Sequence, residues 1–261
     1  MAERGWLGHG LAVGWFEFRR TIRDVRRSKR QLVGIGAGAG VPLLGILAAW
    51  LLLRGNVPAD FDAGAYTVTP IRGQVTAFWL LFGFMVAQRT ASLRPRPDAK
   101  SLMLTTVSAR TATMGLWLAE TLRGLAYVGL PALVGALAVT DLLGTPGILL
   151  TLPLATALFV ASSVTVGSLC GYLAAFAVAR FAVVARYKTW LTGGVSVVVV
   201  AVVVAGQTVV PLGPVFDALA YVPVGWLADL AALATGVRAN TALAVPGAGI
   251  ALAVVALGGR A

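Results

Sequence analysis

Few side chains in this chain of 261 residues are equipped for chemistry, and many of the charged ones lie in one stretch. Residues 89–123 read RTASLRPRPDAKSLMLTTVSARTATMGLWLAETLR. Ahead of Thr111 this stretch holds five basic residues, Arg89, Arg94, Arg96, Lys100 and Arg110, and one acid, Asp98. Further on, Glu120 and Arg123 stand three residues apart, which places both on one helical face where they can pair. His9 is the only histidine and Cys170 the only cysteine. That removes most catalytic-histidine and His-ligand schemes, and leaves no intrachain disulfide or cysteine-based metal site. The sequence carries no Walker motif, no H-E-x-x-H and no Gly-x-Ser-x-Gly. Neither ATP hydrolysis nor those hydrolytic chemistries are expected from this chain alone, and no catalytic, cofactor-binding or metal residue is assigned. An ion-coupled carrier keeps carboxylates or interrupted helices near the membrane midplane, and Glu120 is the single candidate.

The elements that must position these residues are apolar. Hydrophobic residues make up 58% of the chain and charged residues only 12%, where a soluble domain carries about a quarter charged. Long apolar runs separated by clumped charges predict an all-α, polytopic membrane protein with six transmembrane helices. Period-two alternation is absent, which argues against an outer-membrane barrel. The expected spans are 32–53, 74–88, 113–139, 153–179, 190–210 and 241–257, within a transmembrane domain of residues 31–261. Pro153 is expected to mark the start of the fourth span. Gly34 and Gly38, Gly36 and Gly40, and Gly167 and Gly171 have the spacing that lets helices approach closely. Residues 54–72 read as a short exposed loop. Trp226, Leu227, Leu230 and Leu233 suggest a short amphipathic helix on or dipping into the membrane surface. The last span is short.

Residues 1–30 predict a basic amphipathic helix. Leu11, Trp15, Phe18, Ile22 and Val25 recur at helical spacing, and Arg19, Arg20, Arg23, Arg26, Arg27, Lys29 and Arg30 occupy most of the remainder. Glu17 and Asp24 can pair locally with Arg20. Such a helix lies in the membrane interface with arginines toward anionic lipid headgroups, either as a plain orientation anchor or with a specific binding role. Its aromatics follow the apolar stripe, so nucleic acid is not an expected partner of this chain of net charge +11.

With six spans, both termini share a side. That side holds seventeen Lys or Arg, in 1–30, 89–110, 180–188 and the tail, against Arg54, Arg72 and Arg238 on the other. The bias predicts a cytoplasmic N-terminus and a cytoplasmic loop at 89–110. Asp60, Asp62, Asp141, Asp217 and Asp229 then fall outside. In the loop, Pro95 and Pro97 break the chain, and Asp98 is a plausible N-cap for a short docking helix to Thr105 or Thr106. Leu102, Met103, Leu104 and Val107 give it apolar contacts, and Ser108 can cap the helix that follows. Glu120 and Arg123 read either as the interfacial start of the third span or as a charged pair held within the membrane.

This layout resembles the membrane subunit of an ABC-2-type ABC transporter. The resemblance rests on the basic N-terminal segment WFEFRRTIRDVRRSKRQL, on six spans, on SLMLTTVSARTATMGLWLAETLR between spans two and three, and on the stretch before span six. It implies a cell-membrane permease subunit that forms a translocation path with a second permease subunit, as a homodimer or a pair. ATP would be hydrolysed by a separate cytoplasmic ATPase. The segment 98–107 would be the coupling helix, with Leu102, Leu104 and Val107 as its apolar dock. Arg94, Arg96, Asp98 and Lys100 would belong to the same surface, the basic ones meeting acidic residues of the ATPase; retention of the loop in the cytoplasm explains the same charges. The stretch Phe216 to Leu233 would cap the path outside. The competing classes are a membrane assembly or anchoring protein and a small ion-coupled carrier.

Overall fold

The computed structural model describes residues 6–56, 63–92, 108–182, 186–187, 193–194, 197–198, 201 and 213–258. Its regular elements are helices: α1 Trp6–Arg27, α2 Lys29–Leu53, α3 Thr69–Ser92, α4 Ala109–Leu143, α5 Ile148–Arg180, α6 Gly213–Leu219, α7 Leu227–Ala232 and α8 Thr241–Gly258. Single 3-10 turns lie at Ala63–Ala65 and Pro223–Trp226. Among the described residues the only β contact is an isolated bridge between Thr67 and Arg238.

Local chemistry sets the helix ends. Ser108 caps α4 as expected: its Oγ accepts the Thr111 amide at 3.3 Å, satisfying one of the unpaired donors of the first turn. The same helix stops at Gly144, whose φ of 65° is left-handed and open to glycine without strain. At 35 residues α4 is about 50 Å long, more than the roughly 30 Å of hydrocarbon in a bilayer. Its charges are Arg110, Glu120 and Arg123 in the first half and Asp141 near the end.

Residue pairings give the topology. Trp79 Nε1 donates to Ser162 Oγ at 3.0 Å, and farther on Gly171 abuts Ala87, so α3 and α5 run parallel. Trp117 Nε1 donates to Thr165 Oγ1 at 2.9 Å while Gly124 meets Val160, so α4 runs antiparallel to α5. Gly10 lies against Met114, Thr21 against Arg123, Ile46 near Gly135 and Trp50 against Asp141. Thus α1 and then α2 follow α4 along its length in the same direction. Two apolar cores fill the interior. One joins Val86, Val160 and Val164 with Phe82 and Phe159; the other joins Ala155, Leu158, Leu227, Leu230, Ala244 and Ala251.

Among the described residues four helices are long and apolar enough to cross a membrane: Thr69–Ala91, Arg110–Leu143, Ile148–Arg180 and Thr241–Gly258. The pieces Gly213–Leu219 and Pro223–Ala232 make a fifth if taken as one span bent by 85°. Of the six expected spans, the second, third, fourth and sixth correspond to α3, α4, α5 and α8. The first is represented by the shorter apolar helix Ala39–Leu53, and 190–210 lies almost wholly outside the described residues.

Several expectations are corrected. Residues 69–72 are not loop: α3 starts at Thr69, because Pro70 suits a first helical turn where its missing N–H costs nothing, and the Ile71 and Arg72 amides reach the Val68 carbonyl. Pro153 does not start the fourth span, since α5 begins at Ile148 after the Pro146–Gly147 turn and Pro153 lies inside it. The short helix expected at residues 226–233 is present, but it does not have one face turned outward along its length. These residues fold as a 3-10 turn and α7, with Leu227, Ala228, Asp229 and Leu230 all buried. The Gly167/Gly171 pair does pack closely: a Cβ on Gly171 would sit 2.7 Å from the Ala87 carbonyl oxygen. Gly36 and Gly40, in contrast, have no neighbour within 4 Å of such a Cβ.

Candidate functional site

The basic stretch separates α3 from α4 in the sequence, and charged residues of the helices on either side of it converge. Arg89 lies in the last turn of α3, Glu120 and Arg123 in the first half of α4, and Glu17, Arg20 and Thr21 on α1. Glu120 Oε1 accepts from Arg123 Nη1, the pair expected from their spacing, and also faces Arg89 Nε at 3.3 Å. Arg123 then turns its other nitrogens to α1: Nε and Nη2 donate to Thr21 Oγ1 at 2.9 and 2.6 Å. Thr21 Oγ1 donates to the Glu17 carbonyl oxygen, and Glu17 pairs with Arg20 at 3.6 Å. The Glu120 and Arg123 side chains are 15% and 12% exposed and Arg89 is 47% exposed, so the centre is enclosed and the loop-side arm is open. One carboxylate therefore holds α3 and α4 together, and one guanidinium holds α4 to α1. Charge-assisted bonds of this kind fix geometry more firmly than neutral ones. Among the described residues no three His, Cys, Asp or Glu side chains gather in a way that could hold a metal.

A second ionic site lies at the far end of α3. Arg72 Nε and Nη2 donate to Asp229 Oδ2 and Oδ1 at 2.7 and 2.8 Å, a two-pronged pair. Asp229 Oδ1 also accepts the Asn240 amide at 2.8 Å. The Asp229 side chain is fully buried and Arg72 is 13% exposed. The site ties the 223–232 segment to α3 and to the start of α8. Near the same end, Asp141 accepts from Trp50 Nε1 at 2.9 Å and faces Arg54 Nε at 3.5 Å, but both charges are well exposed.

The proposed coupling residues Arg94, Arg96, Asp98, Lys100, Leu102, Leu104 and Val107 lie outside the described residues. On α1 the apolar stripe expected to face the membrane is mostly left uncovered by the protein, and another face packs on α4. Trp15 is exposed and Phe18 half-buried, and Leu11 and Ile22 are exposed with Trp15. Gly10 and Gly14 are buried instead, where the α1 backbone closes on α4; a Cβ on Gly14 would lie 2.9 Å from the Gly115 carbonyl oxygen. Arg19, Arg23, Arg26 and Arg27 are exposed and Arg20 half-buried. Arg19 stands over the Trp15 ring at 5.5 Å and Arg23 over Phe16 at 6.0 Å. Sequence reasoning counted Arg89 only as loop charge and Arg72 and Asp229 only as outside charges. The available signal was that Arg72 and Asp229 are each a lone charge bordered by apolar residues, a placement that demands a partner.

Compared with known protein families, with curated proteins and with solved structures, the chain matches none.

Proposed function

We propose that the chain is the permease subunit of an ABC-2-type ABC transporter, with six spans, a cytoplasmic N-terminus and a separate ATPase bound at the 89–110 loop. The observation that carries the reading is the clamp at Arg89, Glu120, Arg123 and Thr21. It joins the helix that enters the basic loop, the helix that leaves it and the N-terminal helix. A push on the loop at 98–107 would reach all three together. The basic side of the chain, and the absence of any ATP-binding motif in the sequence, support a partner that supplies the energy. In this reading the bent segment 213–232 caps the path on the opposite face, a second permease subunit completes it, and the chain resides in the cell membrane.

The test is purification of the tagged protein from its own membranes. A cassette ATPase should co-purify with ATP hydrolysis, and Leu104→Asp should abolish both. If Leu104→Asp leaves both intact, docking at this loop is wrong. If no ATPase accompanies the wild-type protein, an assembly or anchoring role replaces transport. ATP-independent transport abolished by Glu120→Gln would instead identify an ion-coupled carrier. The topology has its own check: in a Cys170→Ala background, Asp62→Cys and Ala99→Cys should label from opposite sides.

A further inference from the structure

We infer that residues 216–240 form a re-entrant wedge latched by Asp229. The chain enters and leaves at one end of the bundle without crossing the membrane, and the wedge closes the space between α3, α5 and α8 at that end. The inference rests on the membrane-spanning part of the reading above and is independent of the ATPase. Length and composition alone also allow α6 and 223–232 to be one span bent by 85°. The neighbours of the segment decide against that. A Cβ on Gly73, in the second turn of α3, would collide with the Phe216 carbonyl oxygen. A Cβ on Gly225 would lie 2.7 Å from the Arg72 carbonyl oxygen. Thr151 Oγ1 donates to the Ala231 carbonyl oxygen at 2.9 Å, Ala234 abuts Gly147, and the Arg238 amide donates to the Tyr66 carbonyl oxygen at 3.0 Å. All these partners lie at the start of α3 or α5 or just before them. The two helices are parallel, so the segment begins and ends at one end of the bundle, and α8 departs from there at Thr241. A crossing would have carried the chain to the level of Arg89, about 25 Å from Arg72 along α3.

Between its two ends the segment is driven into the bundle. Leu227 and Leu230 join one core with Ala155 and Leu158, in the first third of α5, and with Ala244 and Ala251 of α8. A Cβ on Gly247 of α8 would lie 2.9 Å from Trp226 Cβ. Glycines on α3, in the wedge and on α8 thus let three stretches of backbone close on one another. Irregular backbone at membrane depth is tolerated where protein covers it, and Val224, Gly225 and Leu227 in and beside the 3-10 turn are buried. Asp229 is the one charge between Asp217 and Arg238. It is bonded to Arg72 of α3 and to the Asn240 amide just before α8, so a single carboxylate holds the wedge to both flanking helices.

The experiment labels the full-length protein, in its own membranes and in a Cys170→Ala background, with a membrane-impermeant maleimide. Asp217→Cys and Arg238→Cys, both at exposed positions, should label from the same side. Labelling from opposite sides would make the bent pair a span and overturn the proposal. Ala228→Cys, only 7% exposed within the wedge, should resist the reagent from either side. Adding Asp229→Asn should raise its labelling rate by about tenfold or more, because Arg72 loses its counter-charge and the wedge opens more often. If Asp229→Asn fails to fold, Arg72→Lys, which keeps the charge and loses the two-pronged fit, should still raise the rate about threefold. An unchanged rate in the folded variant would overturn the latch, and free labelling of Ala228→Cys alone would overturn the wedge. None of these readouts needs an ATPase, so failure of the wedge and failure of the permease reading give different results.

Discussion

Arg72–Asp229 and Arg123–Glu120 are both guanidinium–carboxylate pairs within apolar helices, and they differ in what surrounds the carboxylate. Asp229 is fully buried, is held by both prongs of one arginine and accepts a further backbone amide. It is closed: each charge is matched within the fold, and nothing in it leads outward. Glu120 shares one oxygen between Arg123 and Arg89, and Arg89 is half in solvent beside the basic loop. Arg123 passes the connection on to Thr21 of α1. A closed pair stabilises one arrangement of helices. A branched, partly open one connects elements that can be moved from outside. The first pair fits a structural role, and the second is the one on which the proposed coupling would act.

The largest effect is expected at the closed pair. Asp229→Ala should cost about 3–5 kcal/mol, because it leaves Arg72 buried without a counter-charge. A thermal melt in detergent reads this. Replacing both residues, as Arg72→Met with Asp229→Leu, should restore most of the loss, since a buried pair exchanged for apolar side chains of similar size is often neutral. A double variant as unstable as the single one would mean that Arg72 and Asp229 do more than neutralise each other.

Glu120→Gln should cost less, about 1–3 kcal/mol, because glutamine keeps an oxygen that can accept from Arg123, Thr21 still accepts from the same guanidinium, and Arg89 can turn to water. Its distinguishing sign is looser attachment of α1, read as faster tryptic cleavage after Arg26 and Arg27. Asp229→Ala at matched stability should not produce it. Gly171→Ala should cost a similar amount, about 1–3 kcal/mol, by pushing the end of α3 away from α5 at Ala87 and Thr90. It should disturb the Arg89 arm and leave the Arg72 pair intact, as cysteine cross-linking between α3 and α4 would report.

Arg89→Gln should change stability least, by roughly 0–1 kcal/mol, since an ion pair with one arm in solvent is screened. A double-mutant cycle with Glu120→Gln measures their coupling. A coupling of about 3 kcal/mol or more, the scale of a buried pair, would erase the distinction between the two sites.

Much of the outline was legible in the sequence because it depends on local composition. Apolar runs of sufficient length form helices wherever they are placed, so α3, α4, α5 and α8 appear near the expected positions. Ser108 acts within one turn of itself, and Glu120 and Arg123 share a face by spacing alone. Residues acting across the fold were not legible. Arg72 and Asp229 are 157 positions apart, and Arg123 and Thr21 are 102 apart. Hydrophobic periodicity on α1 marked a face that the protein leaves largely uncovered and said nothing of the face that packs on α4. Close backbone approach through Gly10 and Gly14 decides the contact instead.

By itself, then, the sequence determined the helical class, the long apolar helices, the basic bias and the absence of the common catalytic motifs, all properties that neighbouring residues set between them. Only the tertiary structure decided which charges are satisfied, that 223–232 folds into the core and that α1 lies along α4. Those outcomes depend on distances between residues far apart in the chain, where a lone charge in an apolar helix can be matched only by whatever the packing brings beside it.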